Sequence, residues 1–191
     1  TPFGNVVAKL IDELPDKDEE VLIALNKRQP ELFDVYRFNT TTGELTMAAE
    51  NPGNIADWIT DHNGQIRAAV ASDGVSHQLL YRDNENQPFR NVLTTNFKES
   101  LSPQVFTPDN KFVYAVSNIG RDKSALVVFD LANGTEIQEL YAHPQVDVAS
   151  VIYSYKNHKL LGASFITWTL EYAFFDRSEE HTSELQSPCN L

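Results

Sequence analysis

The sequence is poor in several residue types, and each shortage excludes a class of protein. Cys189 is the one cysteine, so no disulfide can form within the chain. No apolar run approaches the length of about 18 residues that a membrane helix needs, and we therefore expect no membrane span. Basic residues are few: 15 Lys and Arg stand against 27 Asp and Glu, and the net charge of −12 argues against nucleic acid and anionic lipid as partners. The choice between cytoplasm and periplasm stays open.

An internal repeat is the strongest positive signal. Asn63, Asn110 and Asn157 stand 47 residues apart, and strand-like runs follow them: GQIRAAVAS, KFVYAVSN and HKLLGASF. A small residue recurs within these runs at Ala68, Ala115 and Gly162, and Ala24 stands about two repeats before Ala115. Units of about 45 residues with four short strands are typical of β-propeller blades. The repeat predicts an all-β protein, a partial β-propeller of about three and a half four-stranded antiparallel blades.

The same repeat predicts where the blades lie. We place them at about 6–49, 55–96, 103–141 and 148–176, the last incomplete after its third strand. The third strands end on an aromatic residue or Arg followed by Asn or Asp, as in DVYRFN, QLLYRD, LVVFDL and EYAFFD. Turns TTTG and LANG then place Gly43 and Gly134 where a hairpin needs a positive φ. The small residues are expected to let blades approach closely near the central axis.

The last residues differ from the rest of the chain. Strand-like alternation stops near Asp176, and residues 177–187, RSEEHTSELQS, resemble the translated reading of a common sequencing adapter. We therefore interpret 177–191 as a non-native, disordered polar tail and exclude it from fold reasoning. On this interpretation, 1–176 is a fragment whose terminal blades expose unpaired edges and packing faces.

Catalytic, cofactor-binding and metal-ligating residues are not predicted. Ser164, in Gly162-Ala163-Ser164, lacks the flanking pattern Gly-x-Ser-x-Gly of a nucleophile turn and is interpreted as packing. The histidines outside the tail, which are His62, His77, His143 and His158, show no metal-ligand spacing. The acidic runs DKDEE (16–20) and RDNEN (82–86) lack the central Gly of a calcium loop and are interpreted as solvated turns.

Several arginines lie among apolar neighbours. They are Arg37, Arg67, Arg82, Arg90 and Arg121. Arg67 and Arg82 either reach a central channel, where they would bind a substrate carboxylate, or pair with Asp and tie blades together. The sequence favours the structural role.

The order of these segments and their amino-acid sequences resemble a known family. VLIALNKR (21–28), DVYRFNTTTGE (34–44), the turn around Trp58, Asp61 and Gly64, and LLYRD (79–83) are similar to the N-terminal propeller of the prolyl oligopeptidase family of serine peptidases. The likeness is greatest to bacterial acylaminoacyl-peptidase and dipeptidyl-peptidase-like members, and it covers residues 5–176.

The resemblance implies a parent enzyme in which an α/β-hydrolase domain of the same polypeptide follows the propeller and carries a Ser, Asp and His triad. It implies that the propeller caps the active site and admits short or unfolded peptides. The triad positions lie outside this chain, so the chain itself is expected to be inactive. Two alternatives remain: a stand-alone propeller that serves as a binding scaffold, and a propeller enzyme with its own site in the central channel.

Overall fold

A computed structural model of the chain describes residues 4, 6–15 and 17–175. The predicted tail, 177–191, and Asp176 lie outside the described residues. The described part contains strands and turns without a helix, and its strands form antiparallel sheets in which sequence neighbours pair. This confirms the all-β prediction and the partial propeller.

Four sheets follow one another along the chain. The first comprises β1 (Ala8–Asp12), β2 (Glu20–Gln29), β3 (Leu32–Asn39) and β4 (Leu45–Ala49). The second comprises β5 (Ile55–Thr60), β6 (Ile66–Ser72), β7 (His77–Tyr81) and β8 (Arg90–Thr95). The third comprises β9 (Leu101–Phe106), β10 (Val113–Ser117), β11 (Ala125–Asp130) and β12 (Thr135–Ala142). The fourth has three described strands, β13 (Val148–Ser154), β14 (Lys159–Ile166) and β15 (Leu170–Phe174).

The sheets fall into two compact units. The first unit contains the first two sheets and the turn Leu131–Gly134, and the second contains the third and fourth sheets. In the first unit, Leu22 and Val35 form an apolar cluster with Trp58 and Ile66, whose burial stabilises the packed sheets. In the second unit, Val116, Leu126, Val148 and Ala163 form the corresponding cluster.

In the second, third and fourth sheets, the turns between the first and second strands share a geometry that the asparagine repeat only approximates. In each, a backbone N–H closes the turn by donating three residues back: Gly64 to Asp61 O (2.9 Å), Asn110 to Thr107 O (2.8 Å) and His158 to Tyr155 O (3.4 Å). The residue that donates also has a positive φ, of 70°, 57° and 46° respectively. Asn63 and Asn157 therefore precede the left-handed position, whereas Asn110 occupies it. The three asparagines lie in equivalent turns but not at one structural position.

The small residues lie on the second strand of each sheet and are buried. Ala24, Ala68 and Ala115 pair with third-strand residues, as does Gly162 with Phe174. A Cβ on Gly162 would lie 2.1 Å from Ala173 O, an atom of the neighbouring strand β15. The close approach in the fourth sheet is thus within one sheet, and the expected approach between blades at the axis does not account for this glycine.

Regularity distinguishes β15 from the other edge strands. The pairing of every other edge strand with its neighbour contains a register shift; these strands are β1, β4, β5, β8, β9, β12 and β13. The pairing of β15 with β14 runs without a shift from Gly162↔Phe174 to Ile166↔Leu170. β15 is therefore the regular edge of the described sheets.

Candidate functional site

The arginines that the sequence singled out do not form one group. Arg37 lies in β3, Arg67 in β6, Arg82 directly after β7, and Arg90 at the start of β8, all in the first unit. Arg121 lies in the second unit, between β10 and β11. The candidate site is therefore the arginine cluster of the first unit, which we define as Arg37, Arg67, Arg82 and Arg90.

Arg37 joins the first sheet to the second. Its Nη2 donates to Glu85 Oε1 at 2.8 Å, to Glu85 Oε2 at 3.0 Å, and to Gly64 O at 2.8 Å. Glu85 Oε1 also accepts the backbone N–H of Ile66 at 2.9 Å. The two side chains are 21% and 28% exposed, so water screens the ion pair only partly. Glu85 belongs to RDNEN, and its role as an ion-pair partner corrects the interpretation of that run as a solvated turn.

Arg82 is buried within the second sheet. Its Nε donates to Ile66 O at 2.7 Å and its Nη1 to Glu85 O at 3.2 Å, and the guanidinium lies 4.4 Å from the centre of the Phe89 ring. Burial lowers the pKa of Arg82 because the charged form loses hydration. Arg82 Nη2 and Arg37 Nη1 are buried without a hydrogen-bond partner among the described residues. The hydrogen bonds that these two side chains make are to backbone carbonyls and to the Glu85 carboxylate.

Tyr81 contacts two cations. Arg67 Nη2 donates to the Tyr81 hydroxyl, and the Arg90 guanidinium lies 4.9 Å from the centre of the same ring. Arg67 Nη1 also lies 3.5 Å from Asp61 Oδ2, while Asp61 Oδ1 accepts the backbone N–H groups of Asn63 and Gln65. Burial is the main cause that raises the pKa of Tyr81, whereas the nearby charge of Arg67 lowers it. Asp61 and Glu85 thus supply counter-charges to the cluster from within the first unit.

Arg121 makes a separate ion pair in the third sheet. Its Nη1 and Nη2 donate to Glu136 at 3.1 and 2.6 Å, and Nη2 lies 3.4 Å from Glu139. The hydrogen bonds with Glu136 raise the pKa of Arg121. This fork-shaped contact joins the turn after β10 to β12 of the same sheet.

The serine and histidine candidates are dispersed. Ser164 is 4% exposed, and its Oγ lies 2.6 Å from Ser150 Oγ on the neighbouring strand. His143 stacks on Phe165 with 4.4 Å between ring centres, and its Nδ1 accepts two backbone N–H groups at 3.2 Å. The other histidines, His62, His77 and His158, lie in a turn, at the start of β7 and at a left-handed turn position. These side chains form no common constellation.

The first acidic run is only partly described. Lys17 Nζ lies 3.7 Å from Glu20 Oε2 on the surface, and Asp16 lies outside the described residues. Within residues 4, 6–15 and 17–175, no three His, Cys, Asp or Glu side chains are grouped in a way that could hold a metal ion. In the same part of the chain, no helix has the length and apolar character needed to cross a membrane.

A buried network in the first sheet escaped the sequence reasoning. Asp34 has no exposed surface and accepts two hydrogen bonds from Arg28, at 3.0 and 2.9 Å. It also accepts the backbone N–H of Asn51 at 2.8 Å, and Arg28 Nη2 donates to Asn51 O at 2.6 Å. The hydrogen bonds from Arg28 lower the pKa of Asp34. An acid at the start of the apolar run DVYRF was the available signal, because a buried carboxylate requires partners.

Comparison with known proteins complements this geometry. No protein-family model matches the chain. Dipeptidyl aminopeptidase BIII of Pseudoxanthomonas mexicana is 30% identical to it over 142 residues, which are 70% of this chain and 20% of that protein. The chain is a partial β-propeller that is similar in sequence to a segment of dipeptidyl peptidases.

Two further proteins are similar to this propeller segment. Dipeptidyl peptidase family member 6 of Caenorhabditis elegans is 25% identical over 183 residues, covering 91% of the segment and 24% of that protein. The segment thus spans between a fifth and a quarter of these curated relatives. TolB from Acinetobacter baumannii matches in structure with a TM-score of 0.57 and 14% identity, over 82% of the segment and 38% of TolB. The likeness to TolB is one of fold alone.

Proposed function

We propose that this chain is the non-catalytic propeller portion of a serine peptidase of the prolyl oligopeptidase family. In the whole enzyme, the propeller covers the active site of an α/β-hydrolase domain and admits short or unfolded peptides. The observation that supports this proposal most directly is the 30% identity over 142 residues with a dipeptidyl aminopeptidase. The chain that shows this identity is folded into consecutive sheets of three or four strands. The catalytic Ser, Asp and His belong to the hydrolase domain in this proposal, and the propeller contributes no reacting group.

The arginine cluster has a defined place in this proposal. A propeller excludes large substrates only while its sheets stay together, because a gap between sheets would admit a folded chain. Arg37 and Glu85 are well suited to prevent such a gap, since their ion pair joins β3 to the β7–β8 loop. In this proposal the cluster positions the wall of the entrance and does not touch substrate.

The first experiment recovers the uninterrupted reading frame from the source genome. We expect it to encode Gly-x-Ser-x-Gly downstream of the propeller and to yield a protein that hydrolyses dipeptidyl chromogenic substrates. A fluorophosphonate probe should label one serine of that protein. A frame that closes its propeller and then stops, or a full-length product that neither hydrolyses these substrates nor reacts with the probe, would disprove the proposal and favour a binding scaffold.

The second experiment tests the entrance role in the full-length enzyme. Glu85→Ala should raise kcat/KM for long peptides relative to dipeptidyl substrates, because the sheets of the first unit separate more easily. Arg121→Ala is the matched control, since it removes an Arg–Glu pair that lies inside a single sheet. An equal ratio of the two activities in the wild type and both variants would refute the entrance role while leaving the peptidase assignment intact.

A further inference from the structure

The most exposed large apolar side chains of the described residues lie at equivalent ends of their sheets. We call the entry end of a sheet the end at which its first strand begins; in these antiparallel sheets, the turn between the second and third strands lies at that same end. Val75 (70% exposed) lies in the turn between β6 and β7, and Trp168 (100%) lies in the corresponding turn between β14 and β15. Phe97 (77%) lies just after β8, which also ends at the entry end of the second sheet.

Val75 and Phe97 lie on neighbouring segments at the entry end of the second sheet. β7 and β8 pair in a regular register at this end, with His77 opposite Thr95. When the same register is continued beyond the strands, Val75 comes opposite Phe97. We define these two residues as the entry patch.

The turn that presents Val75 is held by its own hydrogen bonds. Asp73 Oδ1 accepts the backbone N–H groups of Ser76 at 2.7 Å and of Val75 at 2.9 Å, and Ser72 Oγ accepts that of Gly74 at 3.1 Å. The hydrogen bonds from Ser76 and Val75 lower the pKa of Asp73 to about 2, so the carboxylate is charged at neutral pH. A turn that is ordered before binding loses little conformational freedom when a partner covers it.

The exposure of the entry patch does not arise from the ends of the chain. Both residues lie within 17–175, which the structure describes without a break. Blades of a propeller pack face to face, so a further blade covers the face of a sheet and leaves its strand ends uncovered. A body other than a blade is needed to bury the patch, and exposed apolar patches commonly mark such contacts.

The path of the chain indicates which body this is. Four antiparallel strands return the chain to the end at which it entered, so a domain that is joined to complete sheets is joined at their entry ends. The segment spans between a fifth and a quarter of its curated relatives, which therefore contain much further chain. Separate proteins that bind stably bury about 1,200–2,000 Å² in total, far more than two side chains supply. A tethered domain needs less, because its effective concentration is on the order of millimolar.

We infer that the entry patch of Val75 and Phe97 is a surface on which the hydrolase domain of the same polypeptide packs. This inference rests on the proposed function and adds to it the end of the second sheet that faces the hydrolase domain.

Photo-cross-linking in the full-length enzyme tests the contact directly. Benzoylphenylalanine is placed at position 75 or 97, the protein is irradiated, and the joined peptides are identified by mass spectrometry. Both positions should cross-link to the hydrolase domain of the same molecule. Position 137 is the control, since Ile137 is also exposed (53%) but lies within β12, away from the entry end of its sheet. It should give no cross-link to the hydrolase domain.

A charge in the patch tests whether the contact holds the domains together. Phe97→Glu should speed limited proteolysis between propeller and hydrolase domain by about tenfold, because the carboxylate loses hydration when the patch is covered. Ile137→Glu should behave as the wild type. Labelling of one serine by a fluorophosphonate probe tests the proposed function separately.

The possible failures are distinguishable. A reading frame without a hydrolase domain would overturn both the proposed function and this inference. An enzyme that the probe labels, but whose cross-links from 75 and 97 stay within the propeller or join two molecules, would overturn this inference alone. Equal proteolysis of Phe97→Glu and the wild type would do the same.

Discussion

Arg37 Nη2 and Glu85 Oε1 lie 2.8 Å apart although 48 positions separate the two residues in the chain. Because Arg37 belongs to β3 and Glu85 to the loop after β7, the pair crosses from the first sheet to the second. Glu85 also accepts the N–H of Ile66, the first residue of β6. One carboxylate thus anchors a strand of its own sheet and a cation of the neighbouring sheet.

Removal of this carboxylate should destabilise the first unit. Glu85→Ala leaves a largely buried guanidinium without its counter-charge, and we expect a loss of about 1–3 kcal/mol in the free energy of unfolding. Urea unfolding of Glu85→Ala, Arg37→Ala and the double variant gives the coupling between the residues. The double variant should lose less than the two single variants together, and strictly additive losses would contradict a direct interaction.

Gly64 should tolerate a methyl group poorly for two separable reasons. Its φ of +70° disfavours side chains, and an added Cβ would lie 2.3 Å from Cδ2 of the buried Leu14. Gly43 has a similar φ of +75° with nothing within 4 Å of its Cβ position. We expect Gly43→Ala to cost about 1–2 kcal/mol through backbone strain and Gly64→Ala to cost about 1–3 kcal/mol more through the clash. Thermal or urea unfolding that gave equal losses would show that Leu14 moves aside freely.

Gly162 presents the opposite combination. Its φ is not positive, but an added Cβ would lie 2.1 Å from Ala173 O and 3.0 Å from Phe174 Cα. These are backbone atoms of β15, so Gly162→Ala should force that strand away from β14. Hydrogen exchange should then show lost amide protection at Ala163 and Ala173 while the third sheet is unchanged. Gly120→Ala, which has a strained φ of +69° and open space, should leave this protection intact.

Acid should weaken the first sheet through Asp34. Since Arg28 lowers the pKa of Asp34 in the folded protein, its contribution to stability is complete above the ordinary value of 3.8 and is lost as the pH falls through the folded-state pKa. Asp34→Asn should therefore be less stable than the wild type at neutral pH and lose less stability on acidification. Urea unfolding across the acid range measures both. Asp122→Asn, at a side chain that is 91% exposed, should follow the wild-type profile.

Local patterns predicted the sheets because alternation and turn chemistry are properties of a few adjacent residues. Gly43 and Gly134, read as hairpin glycines, have φ values of +75° and +66°. The repeat also indicated the tandem order of the strands, since each sheet is built from consecutive segments. The family resemblance agrees with the curated dipeptidyl peptidase relatives.

Contacts between distant segments could not be predicted from the sequence. RDNEN is typical of a polar turn, and no residue next to Glu85 in the sequence indicates its ion-pair partner. That partner, Arg37, lies in another sheet, 48 positions away. Asp34 and Arg28 are only six positions apart, but their pairing depends on the strand reversal between β2 and β3. The small residue at 162 was expected to serve contacts between blades, whereas the backbone of β15 excludes a Cβ there.

The turns between first and second strands bear on how the repeats can be exchanged. Asp61 N–H donates to the carbonyl four residues ahead, on Gln65, whereas Thr107 N–H donates to the carbonyl five ahead, on Phe112. A loop grafted from the second sheet into the third by residue count would therefore misalign the following strand by one position and turn its buried side chains outward. Shuffled or consensus blades built from this chain need their junctions set at the left-handed residue, whichever amino acid occupies it.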